Sequence, residues 1–331
     1  MNFRYIAVLL LSVVWVRPGF SADKPKAGGL QEYLTHLGYG VVDCRRDKPN
    51  KLVLDAELAS KKRRFLIDTG WGLTALAPAT AHGLKTPEEL GIPVRRPLPN
   101  WVTNLVIMEN LTLGQSQFFN QPAAVQNLEM DYITTAEDGI LGLDFLRRNF
   151  CFIDCGEERL YFRSAKRSAE QAEALEESLR LSGFLEAPMC SGLPFLIDAK
   201  IKGEDVRLLV DTGATFSMLS DSQVSRLGLR MEQQRQASTG TLIPQDLSGR
   251  IVGVGQIGMH KFRVTTLNTM QIGARQWTNV HVGVVNLQSF GIGKPGGWET
   301  VQGMLGADIL LNGGALIDCS SEKIWFRPEK R

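Results

Sequence analysis

Phe65-Leu66-Ile67-Asp68-Thr69-Gly70 and Leu208-Leu209-Val210-Asp211-Thr212-Gly213 are one pattern written twice, an apolar run of strand type that ends in Asp-Thr-Gly. The two copies lie 143 residues apart, and the repeat widens around them. Upstream, Leu30, Leu34 and Gly38-Tyr39 match Leu175, Leu179 and Gly183-Phe184, and Cys44 matches Cys190. Downstream, Gly139-Ile140-Leu141-Gly142-Leu143-Asp144 matches Gly303-Met304-Leu305-Gly306-Ala307-Asp308. Ile153-Asp154-Cys155 then matches Ile317-Asp318-Cys319, and both of these later matches stand at an offset of 164. The second half therefore carries 21 more residues between its Asp-Thr-Gly and its apolar-apolar-Gly motif. Self-similarity over so much of a chain is the mark of an internal duplication.

The rest of the sequence fits two compact units. A length of 331 residues with 44% hydrophobic, 22% charged, 33 Gly and 5 Cys excludes a disordered chain, a collagen and a disulfide miniprotein. Lys and Arg number 37 against 35 Asp and Glu, so no charge excess points to nucleic acid or an acidic membrane surface. Arg4, the apolar run Ile6 to Val16 broken only by Ser12, and Pro18-Gly19-Phe20-Ser21-Ala22 read as a secretory signal peptide over residues 1–22. Export places the expected location in the periplasm or outside the cell. No later segment approaches the ~18 apolar residues of a membrane span. Ser164 to Ser182 is polar and free of Gly and Pro, which predicts a linker helix that doubles as the head helix of the second half. The expected division is residues 23–164 and residues 165–331. Elsewhere short runs such as Lys51–Leu58, Leu105–Met108, Leu196–Ile201, Arg250–Val254, Phe262–Leu267 and Val280–Val285 alternate with turn residues. Many short strands per half predict an all-β sandwich or barrel, with a short helix at the head of each half.

A single Asp-Thr-Gly is weak evidence, since Asp-x-Gly is most often a turn. Two copies, each after an apolar strand and before an apolar-apolar-Gly motif, are not. The Gly lets the chain fold sharply so that backbone N–H groups face the carboxylate, and the Thr hydroxyl can bond across to the other copy. Two such loops about a pseudo-twofold axis would set two carboxyls side by side, where both cannot ionise and one proton is shared. Such a pair can hold a water, take its proton as it attacks a carbonyl and return a proton to the leaving amine.

On these motifs the sequence resembles the aspartic proteases of the pepsin and retropepsin clan, most closely the bacterial retropepsin-like group. Leu208 to Ala214, Ser217, Gly303 to Leu310, and Phe150-Cys151-Phe152-Ile153-Asp154 with Leu160-Tyr161-Phe162 carry the resemblance. It spans roughly residues 44–163 and 190–327. It implies two β-barrel lobes related by a pseudo-twofold, an aspartic endopeptidase acting on a polypeptide, and no cofactor. It further implies catalytic Asp68 and Asp211, with Thr69 and Thr212 gripping each other beneath them and Gly70 and Gly213 completing the loops. Leu141-Gly142 and Leu305-Gly306 would pack behind the loops as structural supports. Ala214 would border the substrate, as would Trp71, where the family has Ala, Ser or Thr. The ring of Trp71 would either crowd the floor of the cleft or form part of a substrate pocket. If it crowds the floor, the alternative is a catalytically inactive module that binds an extended peptide or exported protein. Both lobes lie on one chain, which predicts pairing within the chain and a monomer.

Gly253-Val254-Gly255-Gln256-Ile257-Gly258 matches the dinucleotide-binding fingerprint letter for letter. The stretch Met259 to Leu267 after it reads as a strand, with no acid up to Gln276, so the fingerprint lacks its helix and its ribose partner. The better reading is a Gly-rich hairpin in the longer second half, resembling a retropepsin flap, with Gly253 and Gly255 against the substrate. No Tyr occurs in 238–258. Symmetric disulfides would join Cys44 to Cys155 and Cys190 to Cys319, or cross between the halves, with Cys151 left over; buried reduced thiols are the alternative. His36, His82, His260 and His281 are scattered, and no Cys or His spacing suggests a metal. Asp144, Asp154, Asp308 and Asp318 also repeat, but Asp154 and Asp318 precede turns and Asp144 and Asp308 stand where a short helix would be capped, so their expected roles are structural.

Overall fold

A computed structural model describes residues 29–47, 50–93, 104–128, 138–190, 192, 194–232, 263–287 and 301–328. The N-terminal run expected to be a signal peptide and the hairpin with Gly253 and Gly255 lie outside these residues.

Each half closes six strands into a barrel. In the first, Lys51–Leu58, Lys61–Ile67, Gly139–Leu141, Ala75–Leu76, Ser116–Val125 and Leu105–Leu113 follow one another, and the last pairs back on the first. In the second, the order is Leu196–Ile201, Glu204–Val210, Gly303–Leu305, Met218–Ser220, Arg275–Val285 and Arg263–Ile272, again closing on the first. The strands form where alternation places one face inward: Leu196–Ile201 buries Ile197, Ala199 and Ile201 between exposed Asp198 and Lys200. The first hairpin of the first lobe turns on Ala59 and Ser60, both at positive φ of 51° and 59°, the pair of left-handed residues a two-residue turn requires.

The registers repeat as faithfully as the sequence. The strand leading into each Asp-Thr-Gly lies parallel to the apolar-apolar-Gly strand, with Leu66 opposite Ile140 in the first lobe and Leu209 opposite Met304 in the second. On its other side that strand meets Ala75–Leu76 or Met218–Ser220 in antiparallel fashion. The Asp-Thr-Gly loop therefore wraps around the end of the strand that supports it.

A third sheet joins the halves. Gly40–Asp43, Arg159–Phe162 and Phe152–Asp154 from the first half continue into Ala315–Asp318, Lys323–Phe326 and Leu185–Pro188 from the second. The seam is Phe152–Asp154 against Ala315–Asp318, with Ile153 opposite Ile317. One apolar core runs through both barrels and this sheet, from Leu52, Phe65 and Phe118 through Ile153 and Ile317 to Val210, Leu305 and Phe326. The expected head helices are Leu30–His36 and Ala169–Leu181, and they pack Leu34, Leu175 and Leu179 with Phe152, Leu316 and Trp325 on the outer face of the joining sheet. The longer helix begins with a reciprocal capping box between Ser168 and Gln171.

All five cysteines are free thiols, so neither symmetric disulfide pairing is formed. Cys44 and Cys155 continue strands that flank Arg159–Phe162 on opposite sides, roughly 10 Å apart at two strand spacings, beyond the reach of a disulfide. Cys190 turns to Asp198 instead. Among the described residues no helix is long and apolar enough to cross a membrane.

Candidate active site

The two Asp-Thr-Gly loops meet where the barrels face each other, and they are built the same way. Gly70 and Trp71 donate their N–H groups to Asp68 Oδ1 at 2.8 and 3.1 Å. Gly213 and Ala214 donate to Asp211 Oδ1 at 2.9 and 2.8 Å. Each carboxyl is thus held by the turn its own glycine permits. Asp68 and Asp211 are 0% and 1% exposed, so these donors replace the water each has lost.

Beneath them the threonines exchange hydrogen bonds. Thr69 N–H donates to Thr212 Oγ1 and Thr212 N–H to Thr69 Oγ1, both at 3.1 Å. Each hydroxyl then donates across the interface, Thr69 Oγ1 to the Val210 carbonyl and Thr212 Oγ1 to the Ile67 carbonyl, both at 2.8 Å. Four bonds, two from each side, tie the loops together inside a buried site, where the loss of one partner would strand the other.

This grip brings each carboxyl over the other loop's glycine. A Cβ on Gly70 would stand 2.3 Å from Asp211 Cγ, and one on Gly213 would stand 2.3 Å from Asp68 Cγ. Only glycine admits the opposing carboxyl at that distance. Asp68 Oδ2 is sealed over Gly213 and has no hydrogen-bond partner among the described residues, and the two carboxyls lie close enough to act on each other's charge.

The electrostatics point the same way. Burial pushes both carboxyls above their usual range. For Asp68 the rise is opposed by hydrogen bonding with Asp211, by the Gly70 N–H and by the positive charge of Lys51. For Asp211 it is reinforced by the negative charge of Asp68, which holds Asp211 well above the carboxylate range. Both carboxyls are thus pushed toward the protonated form, Asp211 the more strongly because the charge of Asp68 adds to its burial. Lys51 is buried at the head of the strand Lys51–Leu58, and sequence reasoning missed it. The repeat gave no signal for it, since the equivalent position is Pro194.

The supporting turns stand where the spacing put them. Leu141 and Leu305 accept the N–H groups of Asp68 and Asp211 through their carbonyls, at 3.1 and 3.0 Å. Leu143 and Ala307 donate to the Trp71 and Ala214 carbonyls at 2.8 and 2.7 Å. A Cβ on Gly142 would lie 2.6 Å from the Leu73 carbonyl carbon, and one on Gly306 would lie 2.4 Å from that of Phe216, so the loop passes over bare backbone.

Asp144 and Asp308 differ from expectation. The helices Leu143–Arg148 and Ala307–Asn312 start at Gly142 and Gly306 without a side-chain cap. Asp144 Oδ1 instead accepts from Thr74 N–H and Oγ1, and Asp308 Oδ1 accepts from Ser217 N–H and Oγ. Thr74 Oγ1 and Ser217 Oγ in turn accept the N–H of Gly142 and Gly306. The acids lock loop to turn, a role visible only once the two segments are adjacent. Asp154 and Asp318 do bond the backbone of their turns.

Trp71 packs with Val53, Leu66, Ala75, Leu128 and Ile140 and stays partly exposed, while Ala214 is buried. Its ring does not disturb the loop, which keeps the bonds of its counterpart. Among the described residues no set of His, Cys, Asp or Glu is arranged to hold a metal.

A family comparison agrees with this construction in the second lobe. Residues 197–309 match the family model described as aspartyl protease. No curated protein matches the chain. Among solved structures, the aspartic proteinase from Irpex lacteus is similar over 88% of this chain and 98% of its own, with 13% identity and a TM-score of 0.48. A retropepsin-like aspartic protease from Rickettsia conorii is similar over 44% of this chain and 90% of its own, with 18% identity and a TM-score of 0.28. The family match thus covers most of the second lobe, and the first lobe builds the same loop, grip and supporting turn again.

Proposed function

We propose that the protein is an aspartic endopeptidase whose catalytic groups are Asp68 and Asp211. The observation that carries this reading is the reciprocal seating of the two carboxyls, each over the other's loop glycine, with Asp68 Oδ2 buried and without a hydrogen-bond partner among the described residues. In the reaction a water lies between the carboxyls. Ionised Asp68 takes one of its protons as the water oxygen bonds to the scissile carbonyl carbon, and Asp211 gives its proton to the carbonyl oxygen. The tetrahedral diol then collapses. Asp68 passes its proton to the amide nitrogen, the C–N bond breaks, and Asp211 takes a proton from one diol hydroxyl as the new carboxyl C=O forms, so the pair is left with the single proton it began with. The Thr69 and Thr212 bonds keep the carboxyls fixed while charge moves between them, so little reorganisation is needed at the barrier.

The test is digestion of a mixed peptide library from pH 3 to pH 7, with products read by mass spectrometry, beside Asp68→Asn and Asp211→Asn. Cleavage by the wild type and a fall of at least about a thousandfold in either variant is the expected result. Cleavage that survives both substitutions, or no cleavage by folded wild-type protein at any pH, overturns the proposal.

A further inference from the structure

The outer face of each barrel carries a small apolar cluster beside its Asp-Thr-Gly loop, and the two clusters are built from equivalent positions. Val53 pairs with Leu66, Leu66 with Ile140, and Ile140 with Ala75. In the second lobe Leu196 pairs with Leu209, Leu209 with Met304, and Met304 with Met218. These side chains alternate with Phe65, Ile67 and Leu141, or Leu208, Val210 and Leu305, which point into the core. Strand period alone thus puts both clusters on the side away from the barrel interior.

The clusters differ in where their bulk sits. In the second lobe the loop contributes Ala214, which is 1% exposed, and the strand behind it contributes Met218. In the first lobe the strand contributes Ala75, and the loop contributes Trp71, a residue that stays partly exposed while its ring Nε1 is buried. The bulk has moved from the strand to the loop, and so to the surface beside Asp68. The Trp71 N–H bonds Asp68 Oδ1 and its carbonyl accepts Leu143 N–H, so the residue cannot swing away without undoing the loop. Among the described residues, the equivalent position beside Asp211 offers only the methyl of Ala214.

We propose that Trp71 makes the cleft unequal: its ring fills the space a bulky substrate side chain would need along the first lobe, so the residue there must be small, while the side chain along the second lobe escapes that limit. This rests on the endopeptidase reading. The substrate class is then a polypeptide with a small residue on one side of the scissile bond. A pocket wall that excludes added carbon atoms discriminates by about tenfold or more.

The test uses two peptide series, each varied from Ala to Leu to Phe on one side of the cleaved bond and constant on the other. Wild type, Trp71→Phe and Trp71→Ala are compared by kcat/KM. In Trp71→Ala the Leu-to-Ala rate ratio should rise at least tenfold on one side of the bond and stay within about twofold on the other, with Trp71→Phe between. A ratio that moves on both sides alike, or on neither, overturns the inference while cleavage itself upholds the endopeptidase reading. If Trp71→Ala fails to fold, Trp71→Phe decides: a folded variant with the wild-type ratios on both sides overturns the inference. A wild type that cleaves no peptide defeats the endopeptidase reading and this inference with it.

Discussion

At the scale of single residues, the duplication makes each lobe a control for the other, and the acid that locks loop to turn is the clearest case. Asp144 has Arg148 at 3.8 Å, whereas the position equivalent to Arg148 is Asn312. Burial raises both acids, but Arg148 offsets the rise for Asp144. Asp308, with only hydrogen bonds to oppose burial, is raised from 3.8 to about 6. A folded-state value above the unfolded one means that folding favours the protonated acid. The resulting penalty is absent below pH 3.8, grows as pH rises toward about 6, and is complete above that. Its full size is of the order of 3 kcal/mol. Asp308→Asn keeps an oxygen for Ser217 and cannot ionise, so it should flatten the pH dependence of stability. Urea unfolding at pH 4 and pH 7 checks this: relative to wild type, the variant should gain at pH 7 by up to roughly that amount. An equal effect at both pH values would count against it. The second lobe is thereby firmest under the acidic conditions in which the dyad holds its proton.

At the scale of elements, the loop and its supporting turn form one unit, and much of it was legible in the sequence. The two Asp-Thr-Gly tripeptides, the two Leu-Gly pairs and the strands Lys51–Leu58 and Leu196–Ile201 were readable because duplication fixes their order and alternation fixes their faces. What sequence could not give was anything decided by contact between segments far apart in the chain. Lys51 came within reach of Asp68 through pairing alone, Asp144 turned to Thr74 and not to its own helix, and the fate of the Trp71 ring depended on Ala75 being small. The sequence left cysteine pairing open for the same reason, and an intervening strand separates Cys44 from Cys155. The glycine of each turn carries the element-level prediction. In Gly306→Ala the new Cβ meets the Phe216 carbonyl carbon, a backbone atom that cannot rotate aside, and the loop bearing Asp211 must lift. The expected loss is about 2–3 kcal/mol by denaturant unfolding, together with reduced peptidase activity. Alanine at Gly72 is the control, because nothing lies within 4 Å of a Cβ there.

At the scale of the whole molecule, the lobes are held by more than the threonine grip, because one arginine from the end of the chain and one from the linker bridge residues of both halves. Arg327, at the end of the second half, bonds Asp154 of the first at 2.7 Å and lies over Phe184, 5.5 Å from its centroid. Arg167, just past the end of the first lobe, bonds Asp318 of the second together with Ser320 and the Tyr39 hydroxyl, over the rings of Tyr39 and Phe152. Asp154 and Asp318 are repeat equivalents, but their arginines are not, since the counterpart of Arg327 is Arg163, which bonds Gln171 instead. The two ties straddle the seam where Phe152–Asp154 pairs with Ala315–Asp318. The two ties differ in strength. The side chains of Arg167 and Asp318 are each 4% exposed, while that of Arg327 is 29% exposed and is discounted by solvent. Removing one member of a buried pair strands the other, at roughly 3–5 kcal/mol. Arg167→Met should therefore destabilise by about that much, and Arg327→Met by about 1 kcal/mol. Arg167→Met with Asp318→Asn should recover part of the loss, because the double change leaves no unpaired charge. Calorimetry of the four proteins reads both outcomes. Since one core and one sheet run through both lobes, the wild type should unfold in a single transition. If Arg167→Met unfolds in two, the arginine tie is what makes the lobes a single cooperative unit. A single transition at lower temperature would assign that cooperativity to the shared apolar core.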